Sequence, residues 1–278
     1  MTVPANRLAQ DAEPRTWAVF TKPWKNETPD QLARLVASMG FNAVEFPLRP
    51  GYQVDLDRLD SSIPELIKIL SDHGIRIASV ASTPDEPVLA ACADNGIDLL
   101  RIMVPFESGG YVGTSDSVRR HLDTLVPLSL RYGVRIGIQP HYDCYVADSS
   151  ELATVIKDYD PAAITAIWDA AHDGLARKHP AHTLPLLWDR LAMINFKNAC
   201  YQRSAAPGRE TPDWSITFVE GSEGLCSWPE AAAVVAQLDY QGPICLPAEY
   251  TDERDLERKV AADLRYLREL IQAGQARP

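Results

Sequence analysis

The chain of 278 residues contains no apolar run approaching the roughly 20 residues that a membrane-crossing helix requires. Its opening stretch, MTVPANRLAQDAEPR, carries charges where a secretory signal would have an apolar centre. No membrane partner is expected, and the expected location is cytoplasmic. There is no CxxC pair either. Cys92, Cys144, Cys200, Cys226 and Cys245 are scattered and odd in number, which suits reduced thiols, mostly small core residues, better than a disulfide framework. A basic excess is also missing. With 38 acidic against 27 basic residues and a net charge of -11, the chain repels phosphate backbones and anionic lipid at long range, so no nucleic-acid partner is expected. Low-complexity tracts and breaks in composition are absent as well. With 46% hydrophobic and 23% charged residues, the composition is that of one globular unit able to bury a sizeable core.

Along that unit, short β-rich runs alternate with longer stretches of helical period. The runs are TWAVF near 16, FNAVEF near 41, IRIASV near 75, IDLLRIMV near 97, VRIGIQ near 134, ITAIWD near 164, LAMINFK near 191 and PICLPAE near 243. Between them, PDQLARLVASMG, IPELIKILSDHG and SDSVRRHLDTLVPLSLRYG repeat apolar residues at three- and four-residue intervals. Each ends at Gly40, Gly74 or Gly133, where a helix needs a left-handed cap. Eight such units at roughly 30-residue spacing predict an α/β fold, a single-domain (β/α)8 barrel over 1–278, with a doubly wound open sheet as the alternative. Residues 1–14 are expected to be a flexible extension, and 201–225 a long polar β7-α7 connection of the kind that forms lids or binding loops. The final segment, 252–274, reads as an amphipathic closing helix.

In such a barrel the reacting groups belong at the C-terminal ends of the strands, which form its open mouth. Those ends carry Lys22, Glu45, Arg49, Arg101, Gln139, His141, Asp169, His172, Asn195, Lys197 and Glu249. The seventh run shows the pattern most clearly. Leu191, Met193, Asn195 and Lys197 share one face by the two-residue period, apolar at depth and polar toward the mouth. Glu249 follows the apolar PICLPA and has few structural reasons to be there. Others have two readings. Asp169 and His172 suit a site or a capping pair; Gln139 and Asn195 suit a ligand or each other. Glu45 suits substrate or a pairing with Arg101, and His141 suits substrate or a strand-to-loop corner after Pro140. Lys22 and Arg49 suit the hydroxyls or a carboxylate of a ligand, or surface salt bridges. Trp214, in the long connection, suits stacking on a ligand ring or packing.

From GFNAVEF through HGIRIASV, YGVRIGIQPH, IWDAAHDG and INFKNA to GPICLPAEY, the chain resembles the xylose isomerase-like barrel superfamily. That group holds sugar isomerases, ketose 3-epimerases, inosose dehydratases and endonuclease IV-type enzymes. The resemblance implies a divalent metal held by Glu, Asp, His and Glu at strands five to eight, positions that here hold Gln139, Asp169, Asn195 and Glu249. Two ionisable ligands are thus replaced by amides, with His141 or His172 as compensating candidates. Mg²⁺ or Mn²⁺ is the metal that suits an oxygen-rich set, and no nucleotide cofactor is expected.

By the same resemblance, the expected function is proton abstraction beside a carbonyl of a small carbohydrate. Glu249 would be the base, with Lys197 and His172 contacting substrate oxygens and Lys22, Glu45, Arg49, Arg101, His141 and Trp214 holding the sugar. Losing the strand-five carboxylate disfavours two-base epimerisation relative to one-base isomerisation or elimination from a keto sugar. The alternatives are a keto-sugar lyase or dehydratase and a non-catalytic sugar-binding protein. The endonuclease reading needs a His-rich zinc cluster and a basic face, neither of which is visible. Relatives are often dimers or tetramers, so a homo-oligomer is compatible.

Overall fold

The computed structural model describes residues 15–105, 110–142, 146–204 and 213–276. The expected N-terminal extension, Cys144 and residues 205–212 of the long connection lie outside them. The strands are β1 (Trp17–Phe20), β2 (Ala43–Pro47), β3 (Arg76–Ala81), β4 (Leu99–Ile102), β5 (Arg135–Ile138), β6 (Ile164–Asp169), β7 (Leu191–Asn195), β8 (Asn198–Ser204), β9 (Asp213–Val219) and β10 (Ile244–Leu246). The α-helices are α1 (Pro29–Ser38), α2 (Leu59–Asp72), α3 (Glu86–Asp94), α4 (Gly110–Tyr132), α5 (Ser149–Ile156), α6 (Ala170–Leu175), α7 (Pro180–Leu187), α8 (Trp228–Gln237) and α9 (Leu256–Gln275). Strands β1 to β7 and β10 pair in parallel and close into a barrel in the order β1-β10-β7-β6-β5-β4-β3-β2. All eight β-rich runs of the sequence are its staves, and the fold is a single-domain (β/α)8 barrel. Gly40, Gly74 and Gly133 have φ of +94°, +72° and +66°, as left-handed helix caps require.

The two-residue period sorts each strand into an outer and an inner face. Val19, Val44, Phe46, Leu100, Ile136, Ile138, Trp168 and Ile194 face outward into the apolar layer beneath the helices. Ala18, Ala43, Leu99, Ile167, Met193 and Cys245 form the inner floor. Gly137 fits this floor because it has no side chain. A Cβ there would lie 2.8 Å from Ile167 Cδ1 and 3.1 Å from Leu99 Cδ1, so glycine is what lets both large side chains fill the lumen. One inward step higher stand Phe20, Glu45, Arg101, Gln139, Asp169 and Asn195, in register across neighbouring strands: Phe20 opposite Glu45, and Asp169 opposite Asn195. The barrel is therefore dry below and polar above.

Two outer features bear on the mouth. Helix α9 buries Leu256, Val260, Leu264, Leu267 and Ile271, one face at three- to four-residue spacing, each worth about 1.5–3 kcal/mol of burial. The connection after β7 carries a hairpin. β8 pairs antiparallel with β9 from Asn198↔Val219 to Ser204↔Asp213, beginning three residues before the expected start of the connection. Its base is pinned to the loop after β10, where Phe218 N donates to Thr251 Oγ1 (2.9 Å) and Thr251 N donates to Phe218 O (3.0 Å).

Candidate active site

The upper inner layer is one connected polar network. Arg101 donates from Nε to Glu45 Oε1 at 2.7 Å and from a terminal nitrogen to Gln139 Oε1 at 2.6 Å, while its guanidinium lies 4.6 Å from the centre of the Phe20 ring. Ser79 Oγ adds a donor to Glu45 Oε1 at 3.3 Å. Gln139 Nε2 donates onward to Asp169 Oδ2 at 2.5 Å. Asp169 Oδ1 meanwhile caps α6 by accepting from Ala171 N and His172 N at 3.0 and 3.3 Å. Lys197 Nζ stands 3.8 Å from Asp169 Oδ2 and 2.9 Å from Glu249 Oε2, and Lys22 Nζ holds the other Glu249 oxygen at 2.9 Å.

Lys22, Glu45, Arg101, Gln139, Lys197 and Glu249 of this network line a hollow of about 60 Å³ with Phe20, Arg49, Met103, His141, Asn195 and Pro247. The hollow shares Lys22, His141 and Glu249 with a basin of about 500 Å³ that Tyr142, Phe218 and Tyr250 help to wall. The hollow alone is smaller than the roughly 300 Å³ at which small-molecule pockets begin, whereas the basin is within that range. Asn195 is buried and lines the hollow, and neither its Nδ2 nor its Oδ1 has a hydrogen-bond partner among the described residues. Buried amides are normally satisfied, so Asn195 is open to a polar ligand.

Charges are held in fixed states. Burial pushes the Glu249 carboxyl up, but the ammonium groups of Lys197 and Lys22 outweigh it and hold the group well below the usual carboxylate range. Burial pulls Lys197 down, and Asp169 and Glu249 more than compensate, so it stays an ammonium. Burial dominates at Asp169 and raises its pKa against the pull of Lys197 and Gln139. It dominates at His172 too, where nearby Lys197, His141 and Arg101 add to it, and the ring sits well below 6.5 and is neutral.

The structure gathers Lys22, Glu45, Arg49, Arg101, Gln139, His141, Asn195, Lys197 and Glu249 around the hollow, with Asp169 bonded to Gln139 behind it. Two expected residues stand apart. His172 is buried behind His141, ring centres 4.7 Å apart, and is not among the residues lining the hollow. Trp214 is 60% exposed on β9 opposite Arg203 and lines neither the hollow nor the basin. The aromatic residue that the hairpin does bring to the site is Phe218, whose ring centre lies 5.0 Å from Lys197 Nζ. The alternation of Trp214, Ile216 and Phe218 with Asp213, Ser215 and Thr217 in DWSITFVEG is the available signal. Phe20 and Ser79 were likewise hidden, since their types are ordinary in barrel strands. The pairing of Glu45 with Arg101 and the capping by Asp169 are both present, so those side chains serve structure and face the mouth together.

A divalent metal is implied by the resemblance, and the donor set does not fit one. Gln139 turns its only metal-binding atom, the amide oxygen, to Arg101 and presents an N–H to Asp169; a donor on one side and an acceptor on the other fix that orientation. The carboxylates of Glu45, Asp169 and Glu249 already pair with three cationic groups, on Lys22, Arg101 and Lys197. A dication would add to a charge that is already balanced. Among the described residues, no group of three or more His, Cys, Asp or Glu side chains is placed to hold a metal ion.

Similar architectures are known. The barrel resembles a xylose isomerase-like TIM barrel protein from Mycobacterium smegmatis, solved in complex with magnesium, at 17% identity and TM-score 0.68, with 94% of this chain and 98% of that one covered. It resembles 3-keto-D-glucoside 4-epimerase from E. coli at 15% identity and TM-score 0.69, covering 92% and 100%. It also resembles a probable 3-DHS dehydratase of petrobactin synthesis from Bacillus anthracis at 12% identity and TM-score 0.70, covering 91% and 98%. At these identities the likeness shows the fold. No curated protein matches the sequence. The family model described as xylose isomerase-like TIM barrel matches residues 33–270, and the chain belongs to that family.

Proposed function

We propose that this barrel is an enzyme of the carbohydrate isomerase and epimerase class that removes a proton beside the carbonyl of a small sugar. One observation carries the reading: a buried ammonium, Lys197 Nζ, lies 2.9 Å from the Glu249 carboxylate at the mouth of the barrel. That is an ionised base next to a fixed positive charge, the pair that enolisation needs. The sugar enters through the basin walled by Tyr142, Phe218 and Tyr250. Its carbonyl oxygen draws on Lys197, which loosens the ammonium from Glu249 and raises the basicity of that carboxylate as the substrate arrives. Glu249 takes the proton from the adjacent carbon, and Lys197 bears the developing enolate charge. Asn195, with both amide atoms open, and Arg49 and Lys22 hold hydroxyl groups. With Gln139 where a second carboxylate would stand, Glu249 itself returns the proton, now to the former carbonyl carbon, while the neighbouring hydroxyl passes its proton to the former carbonyl oxygen and becomes the new carbonyl. Alternatively a β-hydroxyl takes the proton from Glu249 and leaves as water, so elimination is the second reading.

Solvent exchange tests this. Small keto sugars incubated in heavy water with the protein should gain deuterium at the carbon beside the carbonyl. Glu249→Gln should lower that exchange by about 10²–10⁴-fold, the usual worth of a general base. Exchange that survives in Glu249→Gln would remove Glu249 from the role, and no exchange in any keto sugar would end the reading.

A further inference from the structure

We infer that the Lys197 ammonium takes the place of the divalent cation in this barrel and keeps Mg²⁺ and Mn²⁺ out of the mouth. The inference rests on the proposed site only for its location. Lys197 Nζ lies between Glu249 Oε2 at 2.9 Å and Asp169 Oδ2 at 3.8 Å, so one positive charge sits between the two carboxylates that would otherwise be a metal's ligands. A Mg²⁺ ion at its required 2.0–2.1 Å from both oxygens would press a double positive charge against that ammonium.

The ammonium is built in rather than drifting there. Its side chain is about 4% exposed, and the Phe218 ring centre covers it at 5.0 Å. The residue before it is fixed twice. Phe196 N donates to Cys245 O at 2.8 Å, and the Phe196 ring packs edge-on against Trp168 and Trp228 with centres 5.8 and 5.2 Å away. That anchor fixes the backbone from which Lys197 projects. The remaining positions agree with the substitution. Arg101 holds the Gln139 oxygen and Lys22 holds the second oxygen of Glu249, so cations of the chain engage three of the four inherited ligand positions, and Asn195 keeps a neutral amide oxygen without a partner among the described residues. The chemical consequence is specific. An ammonium offers directional N–H donors and a single charge, so it favours a substrate whose carbonyl oxygen accepts hydrogen bonds over one that chelates a metal through two adjacent oxygens.

The test is a titration with Mn²⁺ alone, followed by electron paramagnetic resonance and calorimetry, on the full chain and on Lys197→Met. The wild-type protein should show no stoichiometric uptake, and Lys197→Met should bind one equivalent at least about tenfold more tightly, because its carboxylates lose their internal cation. One equivalent bound tightly by the wild type would overturn the inference, and so would a folded Lys197→Met that binds no better than wild type. Lys197→Gln, which keeps a hydrogen-bond donor toward Glu249, replaces Lys197→Met if circular dichroism shows that variant unfolded. Should neither fold, the wild-type titration decides by itself, absence of uptake supporting the inference. No sugar is present in these measurements. A failure here therefore leaves the enolisation reading standing, and missing deuterium exchange leaves this one standing.

Discussion

Arg101 meets Gln139 at 2.6 Å, guanidinium nitrogen to amide oxygen, and that contact decides which end of the amide faces Asp169. The Gln139 N–H₂ then donates to Asp169 Oδ2 at 2.5 Å. Gln139→Glu would replace this donor with a second carboxylate oxygen, and two buried carboxylates at that distance do not both ionise. The pair would hold a proton in the folded state that the unfolded chain releases, so the variant's stability should fall as pH rises. Urea unfolding should show a loss of about 1–3 kcal/mol at pH 7.5, shrinking toward pH 5. An equal loss at both pH values would mean that the two groups do not share a proton.

Glu45 and Arg101 form a buried ion pair at 2.7 Å, about 1% and 5% exposed. Removing one partner strands the other charge. Arg101→Met should therefore cost about 3–5 kcal/mol, and the double variant with Glu45→Gln should cost less than the sum of the single ones. A double-mutant cycle by chemical denaturation reads this directly, and additive losses would show that the pair is not coupled.

The eight staves were legible because a strand buried on both faces leaves a short β-branched run and its helix leaves a Gly-capped period. The polar residues at strand ends were legible because Asn195 and Lys197 stand where an apolar alternation should continue. Orientation was not legible. That Gln139 gives its oxygen to Arg101, and that Lys197 lies between two carboxylates, depend on contacts between residues 28 to 52 positions apart in the chain. The hairpin was hidden for another reason. Its strand Asp213–Val219 alternates Asp213, Ser215 and Thr217 with Trp214, Ile216 and Phe218 but lies inside a stretch that reads as a polar connection, so Trp214 stands out by type while Phe218 holds the useful position.

His172 is about 1% exposed, and neither ring nitrogen has a hydrogen-bond partner among the described residues. Burial, then Lys197, His141 and Arg101, hold it neutral in the folded chain, while the unfolded chain takes up a proton near 6.5. The folded pKa is the lower one, so the stabilisation is present above the unfolded value and is lost as pH falls below it, by up to about 1.4 kcal/mol per pH unit. Urea midpoints measured from pH 7.5 to pH 5 should drop accordingly. His172→Phe should flatten that slope; an unchanged slope would assign the acid sensitivity elsewhere.

Ala248 has φ +55° one residue before Glu249. A Cβ in this left-handed region costs roughly 1–2 kcal/mol, so the bend is maintained by its surroundings. Ala248 is itself buried, and beyond it the Glu249 carboxylate is drawn between Lys22 and Lys197. Ala248→Gly removes the steric penalty while enlarging the freedom of the unfolded chain, so the two effects partly cancel. The variant should be neutral or more stable by up to about 1 kcal/mol. Ala248→Val, with a branched Cβ at positive φ, should be destabilised by more than the glycine variant gains and should misplace Glu249. Thermal melts give the first comparison, and deuterium exchange into a keto sugar gives the second. If the bend serves to aim Glu249, exchange should survive in Ala248→Gly and fall in Ala248→Val, whereas equal exchange in both would show that the carboxylate finds its lysines without it.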